Sequence, residues 1–338
     1  MKKLALSLAA GIALGAVALG TGSVPKPALA QTDTTQTDTA QSAAAECTPS
    51  KYGADDQIGA ANLVTPERVM AAKELVKQGK VHALGIVVEP GMPAFPPRTT
   101  SVQVVTPGQA QGQDTAKTYG WPISYNDDLA QLWFGTGPQL DGLGHLGEAN
   151  EYYNCNKAAD FVRITGLEKL GTHLVPPIVG RGVLINMARH KGVGAMAGGE
   201  GITSDDLRAA MEAQDVSIGE GDIVLIHTGW TDAKLKDAPQ EWVSTEPGLT
   251  NEAAEYLASL NPIAVGGDTW GLEAVPPVEG DKVFYGHVTF LKKNGIYILE
   301  TMNTGPLAEE GVKEFMFVLG QPRIKGTVQA IINPVALY

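Results

Sequence analysis

From Thr65 onward, the succession of apolar and polar positions predicts helices alternating with short strands. Thr65 and Pro66 open a helix as N-cap and first-turn proline. Val69, Ala72, Leu75 and Val76 form its apolar stripe, and Gly79 stops it. Residues 81–88 then read as a strand. Thr203 caps a second helix whose first turn carries Asp205 and Asp206, favourable to the helix dipole, with Leu207, Ala210 and Met211 facing inward. Residues 182–185, 222–227 and 263–265 are built on apolar runs, the pattern of strands buried on both faces. A helix over 251–260 lies between the last two, and further strands are expected over 295–299, 314–319 and 327–332. Many strands with few helices predict an α/β (α+β) fold around a mixed sheet, with the sheet either open or curled.

The first residues follow another rule. Lys2 and Lys3 precede a nearly continuous apolar run over 4–19, and Ala28 and Ala30 bracket Leu29 just before Gln31. A basic start, a short apolar run and a small-x-small exit predict a secretory signal over 1–30. The run is shorter than the roughly 20 apolar residues that span a bilayer, so no stable membrane anchor is expected. Residues 31–46, rich in Thr, Gln, Asp and Ala without periodicity, read as a disordered linker, leaving 47–338 as one folded domain. The expected location is periplasmic or secreted.

Composition adds to this picture. The 40 Gly and 21 Pro among 338 residues suit a loop-rich globular domain. Signal cleavage would remove Lys2, Lys3 and Lys26 and no acid, deepening the formal charge from −12 to −15. That balance argues against nucleic acid as a partner and leaves a small-molecule substrate. Cys47 and Cys155 are the two cysteines. In an oxidising compartment such a pair is expected to bond, the other reading being two unrelated buried thiols.

The chain has six histidines and no HExxH, GxSxG or phosphate-binding loop. Its richest polar cluster runs from Gly135 to His145, where Asp141 and His145 stand four apart among glycines. On spacing alone, this is either a site or a loop Asp beside a hydrogen-bonded His. His173 follows Gly171 and Thr172, but Val175 stands where an acid would be needed, so it reads as a loop residue. His227 ends an apolar strand and reads as a core residue. Trp230 and Trp270 are candidate pocket walls or core residues, and Asp268 is a candidate for orienting a ligand or simply a turn residue.

The stretch Gln139-Leu140-Asp141-Gly142-Leu143-Gly144-His145 resembles the end of the H-x-G-T-H-x-D-x-x-x-H signature of the cyclase family, which includes kynurenine formamidases and isatin hydrolases. Residues 52–66, 175–183, 221–230 and 267–269 are similar to further family segments, as are His287 and 295–300. The resemblance extends over 47–338 and implies a cyclase-like catalytic domain with the swivelling β/α/β fold. It also implies that Asp141, His287 and Glu300 are metal ligands and that His145 transfers protons. The sequence departs from the signature at its two leading histidines, where Gly135 and Gln139 stand, and Pro138 replaces the Thr.

Gly135 offers no side-chain donor, and Gln139 offers a neutral carbonyl oxygen. One divalent ion is therefore expected, held by Asp141, His287 and Glu300 with Gln139 as a fourth ligand. This oxygen-rich set suits Mn²⁺, with Zn²⁺ as the alternative. The reading implied is an exported metal-dependent hydrolase that cleaves an amide, lactam or related carbonyl bond, with His145 as acid/base. Its alternatives are an arylformamidase, a lyase or true cyclase acting on an enolisable substrate, and a ligand-binding member weakened by loss of the two histidines. Family members are commonly dimers or tetramers, so a homodimer or homotetramer is expected.

Overall fold

The chain is described here as a computed structural model covering residues 47, 49–106 and 114–338. The expected signal and linker lie outside the described residues. In chain order the strands of three or more residues are β1 (Val81–Ala83), β2 (Thr100–Val105), β3 (Asp127–Leu132), β4 (Gln139–Asp141), β5 (Ile178–Asn186), β6 (Ile223–His227), β7 (Ala264–Gly267), β8 (Tyr297–Glu300), β9 (Glu314–Leu319), β10 (Gln329–Ile331) and β11 (Val335–Leu337). Nine of them form one sheet in the order β1-β11-β9-β5-β6-β7-β8-β4-β10. Its middle, β5 through β8, is parallel, and antiparallel strands extend it on both sides. The mixed α/β architecture follows from the sequence pattern. Every residue of β6 is buried, as expected of a parallel strand covered on both faces.

Three helices matter for the packing: α1 (Pro66–Lys73), α2 (Ser204–Gln214) and α3 (Asn251–Ser259). Thr203 and Asp206 form a reciprocal capping box at α2, whose buried face is Leu207, Ala210 and Met211. α3 buries Ala253, Ala254, Leu257 and Ala258. Leu207 and Leu257 are fully buried, each stabilising the fold by about 2 kcal/mol on the transfer scale. Glu46–Tyr338 is one compact unit by its internal contacts.

Several elements depart from the sequence expectation. α1 stops at Lys73 rather than near Gly79. The amides of Leu75 and Val76 bond three residues back, so the apolar stripe continues as tightened turns. The strand expected over 81–88 is three residues long. Leu84 still pairs with Pro334 and is fully buried, but the chain beyond it leaves the sheet. The short β4 and the hairpin of β2 and β3 were not expected.

Cys47 and Cys155 are bonded, with Cα atoms 5.6 Å apart. The bond joins the start of the domain to a segment where Asn154 crosslinks the backbone. Its amide donates to the carbonyls of Gly53, Ala54 and Asp56 at 2.9 Å each, and its oxygen accepts from Ser50. Among the described residues, no helix is long and apolar enough to cross a membrane.

Candidate active site

Sheet register assembles the polar cluster. Glu300 lies opposite Gln139 in the β8–β4 pairing, and Gln329 lies opposite Asp141 in β10–β4. Because alternate residues share a face, Gln139, Asp141, Glu300 and Gln329 project together. Leu140, Leu299 and Ala330, one step out of phase, project to the other side into the core. His287 reaches the cluster from a short helical segment (Tyr285–His287) before β8. Thr301, directly after Glu300, has φ 56, an unfavourable region for a β-branched residue that marks a constrained strand end.

Asp141, His287 and Glu300 are buried, and each presents a donor atom within 4.8 Å of the others. His287 Nε2 lies 3.2 Å from Glu300 Oε1 and 3.6 Å from Asp141 Oδ2. Behind the ring, Glu273 Oε1 accepts the His287 backbone N–H at 2.7 Å, and Oε2 lies 2.8 Å from Nδ1. That carboxylate fixes the imidazole with Nε2 toward the cluster, as outer carboxylates do for metal-binding histidines.

The electrostatics follow from burial and crowding. Burial works to raise the Asp141 carboxyl, but His145 and His287 outweigh it and hold it at about 2. Burial and then the Asp141 charge push Glu300 up to about 8, against His287 and Arg98. Burial disfavours the charged His287 ring, yet the surrounding carboxylates, Glu273 foremost, raise it well above its ordinary value. For His145, burial prevails over the Asp141 charge and lowers the imidazole. Glu246, also buried, is raised well above the usual carboxylate range by burial and then by Glu300.

These residues suit a divalent cation. Asp141 Oδ2 is buried without a hydrogen-bond partner, although Oδ1 of the same carboxylate accepts from two amides. An oxygen so enclosed and left open is costly unless it faces a cation. Two carboxylates and one imidazole make an oxygen-rich set suited to a hard or borderline ion.

Gln139 enters differently from expectation. Its Nε2 donates to Asp141 Oδ1 at 3.0 Å and Glu300 Oε2 at 2.6 Å, so its nitrogen, rather than the expected carbonyl oxygen, faces the carboxylates. His145 Nε2 lies 3.9 Å from Asp141 Oδ2 and 3.5 Å from Gln329 Nε2, with a fifth of its side chain exposed.

Trp270 lines the cleft beside Gln139, together with Phe95, Arg98, Gly135, Trp242 and Thr301. Trp230 does not line it: 1% exposed, it packs behind Trp242, donating from Nε1 to the Trp242 carbonyl. Asp268 is likewise turned away, since its Oδ1 accepts the backbone N–H and hydroxyl of Thr228 at 2.8 Å each. His227 is a satisfied core residue paired with Thr304. His173 accepts from Gly326 N on a loop.

Sequence reasoning missed Arg98, Gln329, Glu273 and Trp242. Gln329 carried the one usable signal, a polar residue in an apolar strand pattern.

The Cyclase family model matches residues 56–274. A crystal structure of a novel cyclase superposes with a TM-score of 0.76 at 30% identity, covering 85% of this chain and 96% of that one. Isatin hydrolase A from Ralstonia solanacearum aligns with a TM-score of 0.57 at 18% identity, covering 81% and 98%. An isatin hydrolase bound to the product analogue thioisatinate gives 0.53 at 19%, covering 81% and 99%. At those identities the two isatin hydrolases show a shared fold alone. Comparison with curated proteins returns no match.

Proposed function

The chain belongs to the cyclase family, and from that membership we propose that it is a metal-dependent hydrolase of an amide, lactam or related carbonyl bond. The observation that carries the reading is the convergence of Asp141, His287 and Glu300 around the unpartnered Asp141 Oδ2. These three residues would hold one divalent ion, Mn²⁺ or Zn²⁺, which supplies Lewis-acid activation at the scissile carbonyl when bound.

The protein's own groups do the rest. Glu273 holds His287 in its ligating orientation, and Gln139 and Gln329 fix the Asp141 carboxylate. His145 stands at the open edge of the cluster with Nε2 toward Asp141. There it takes the proton of the attacking water and returns it to the leaving nitrogen or oxygen. Trp270 provides an apolar aromatic face for a planar substrate.

Metal analysis of the purified protein should find about one ion per chain, given one set of ligands. A panel of aromatic amides (including arylformamides), lactams and lactones should reveal turnover that His145→Ala and Glu300→Ala abolish. No bound metal after Mn²⁺ and Zn²⁺ addition would sink the hydrolase reading. A second reading, a ligand-binding member with weak catalysis, is supported by the Gln139 amide that occupies both carboxylates. It predicts ligand binding without turnover across the same panel.

We assign the protein to the periplasm or the extracellular space, supported by its disulfide. The hairpin of β2 and β3 exposes Val102 and Val104 on one face and Leu129 on the other, and Trp121 and Trp133 are exposed too. These exposed apolar side chains support assembly as a homodimer or homotetramer. Light scattering giving a monomer mass would overturn the assembly.

A further inference from the structure

Where the signature has its first histidine, this chain has Gly135, and the space is not empty. A Cβ built on Gly135 would lie 2.7 Å from Cζ and Nη1 of Arg98 and 2.7 Å from Gln329 Oε1. A side chain at 135 would therefore have to displace the Arg98 guanidinium from this position. Arg98 comes from a turn in which its backbone N–H bonds to the Phe95 carbonyl, and its Nη1 donates to the Gly135 carbonyl at 2.6 Å. The guanidinium also lies 5.9 Å from the centre of the Phe95 ring.

A guanidinium carries five N–H donors, and one is engaged here. Among the described residues Arg98 has no carboxylate ion-pair partner. Gln139, Arg98, Phe95 and Trp270 line the same cleft. The guanidinium is near enough for its charge to favour ionised Glu300 and neutral His145. A fixed, unpaired monocation beside an apolar aromatic wall is the chemistry of carboxylate recognition.

We propose that Arg98, seated over Gly135, is a substrate-anchoring residue that selects planar acids, gripping a carboxylate next to the carbonyl presented to the Asp141 cluster. This rests on the hydrolase reading for the identity of the reacting carbonyl, while the anion subsite stands on Arg98 and Gly135 alone. The substrate class is a conjugated or aromatic acid carrying an amide, lactam or lactone beside its carboxylate.

The test titrates the full chain calorimetrically with benzoate and with acetophenone, its neutral planar counterpart, in metal-free and Mn²⁺-loaded protein. Metal-free wild type should prefer benzoate by at least about tenfold, the scale of a charge-assisted paired contact. Arg98→Gln should erase that preference. Gly135→Ala should weaken it, since it keeps the guanidinium and displaces it from its seat. Equal binding of the two probes by wild type, or a full preference surviving in either folded variant, overturns the proposal. Separate titration with Mn²⁺ alone tests the metal site, so a failed metal titration and a failed benzoate preference are read independently.

Discussion

Replacing Glu273 with glutamine changes one atom of a buried side chain and should weaken the metal site while the protein stays folded. Glu273 is 5% exposed, and its two oxygens face the His287 backbone N–H at 2.7 Å and Nδ1 at 2.8 Å. Glutamine has one oxygen and one NH₂ group. If its oxygen keeps the backbone N–H, the NH₂ meets Nδ1 and stabilises the tautomer protonated at Nε2, the nitrogen that should ligate the ion. If the oxygen turns to Nδ1, the backbone N–H is buried against a donor. Either arrangement loses a charge-assisted contact worth about 1.5–3 kcal/mol. Outer-sphere losses of this kind lower metal affinity about 10–100-fold, or roughly 1.4–2.7 kcal/mol. Calorimetric titration of wild type and Glu273→Gln with Mn²⁺ reads this directly. The exposed Glu309→Gln serves as control, and circular dichroism checks the fold. A folded Glu273→Gln protein with a Kd within about twofold of wild type would refute the orienting role.

Other expectations concern the scaffold. Cys155→Ser opens a covalent loop whose ends are 108 residues apart, which chain-entropy scaling values at about 4–5 kcal/mol; urea unfolding should show a loss of that order, and an unchanged midpoint would contradict it. At Asp206, burial raises the carboxyl but the Lys191 contact and the Thr203 bonds outweigh it, so its folded pKa is lowered. Its stabilisation is thus present above the unfolded carboxylate value and lost as pH falls through the folded one. Asp206→Asn should lose less stability than wild type between pH 7 and acid, as measured by urea midpoints. Gly182→Ala in β5 should cost about 1–3 kcal/mol, because the buried Phe315 ring fills the space a Cβ would take. Its Tm should drop, and a neutral effect would show that β9 yields.

The parts of the fold legible in the sequence are those with repeated local signals. The strand at 314–319 has the expected limits, and α2 begins behind Thr203 with its acidic first turn. β4 is different. It is three residues long, set among glycines, and exists because two distant strands pair with it on either side. No window of sequence contains that information.

The site divides along the same line. Asp141, His145, His287 and Glu300 were visible through motif resemblance. Arg98, Gln329 and Glu273 act across long separations and have no local pattern. Trp230 misled because a tryptophan after a strand suits a pocket wall and a core position equally. Trp242 takes the cleft, and Trp230 is buried behind it, bonded to its carbonyl.

The rings of Phe95 and Trp270, with centroids 5.7 Å apart, close the cleft over Gln139. As closed, it has room for about one water molecule. A larger ligand binds only molecules in which the cleft has opened, so observed affinity equals intrinsic affinity scaled by the open fraction. An open population of about 1% would weaken apparent binding about a hundredfold. Association rates would then report the frequency of opening, and shortening the side chain at 95 would speed binding while leaving every polar contact in the site untouched.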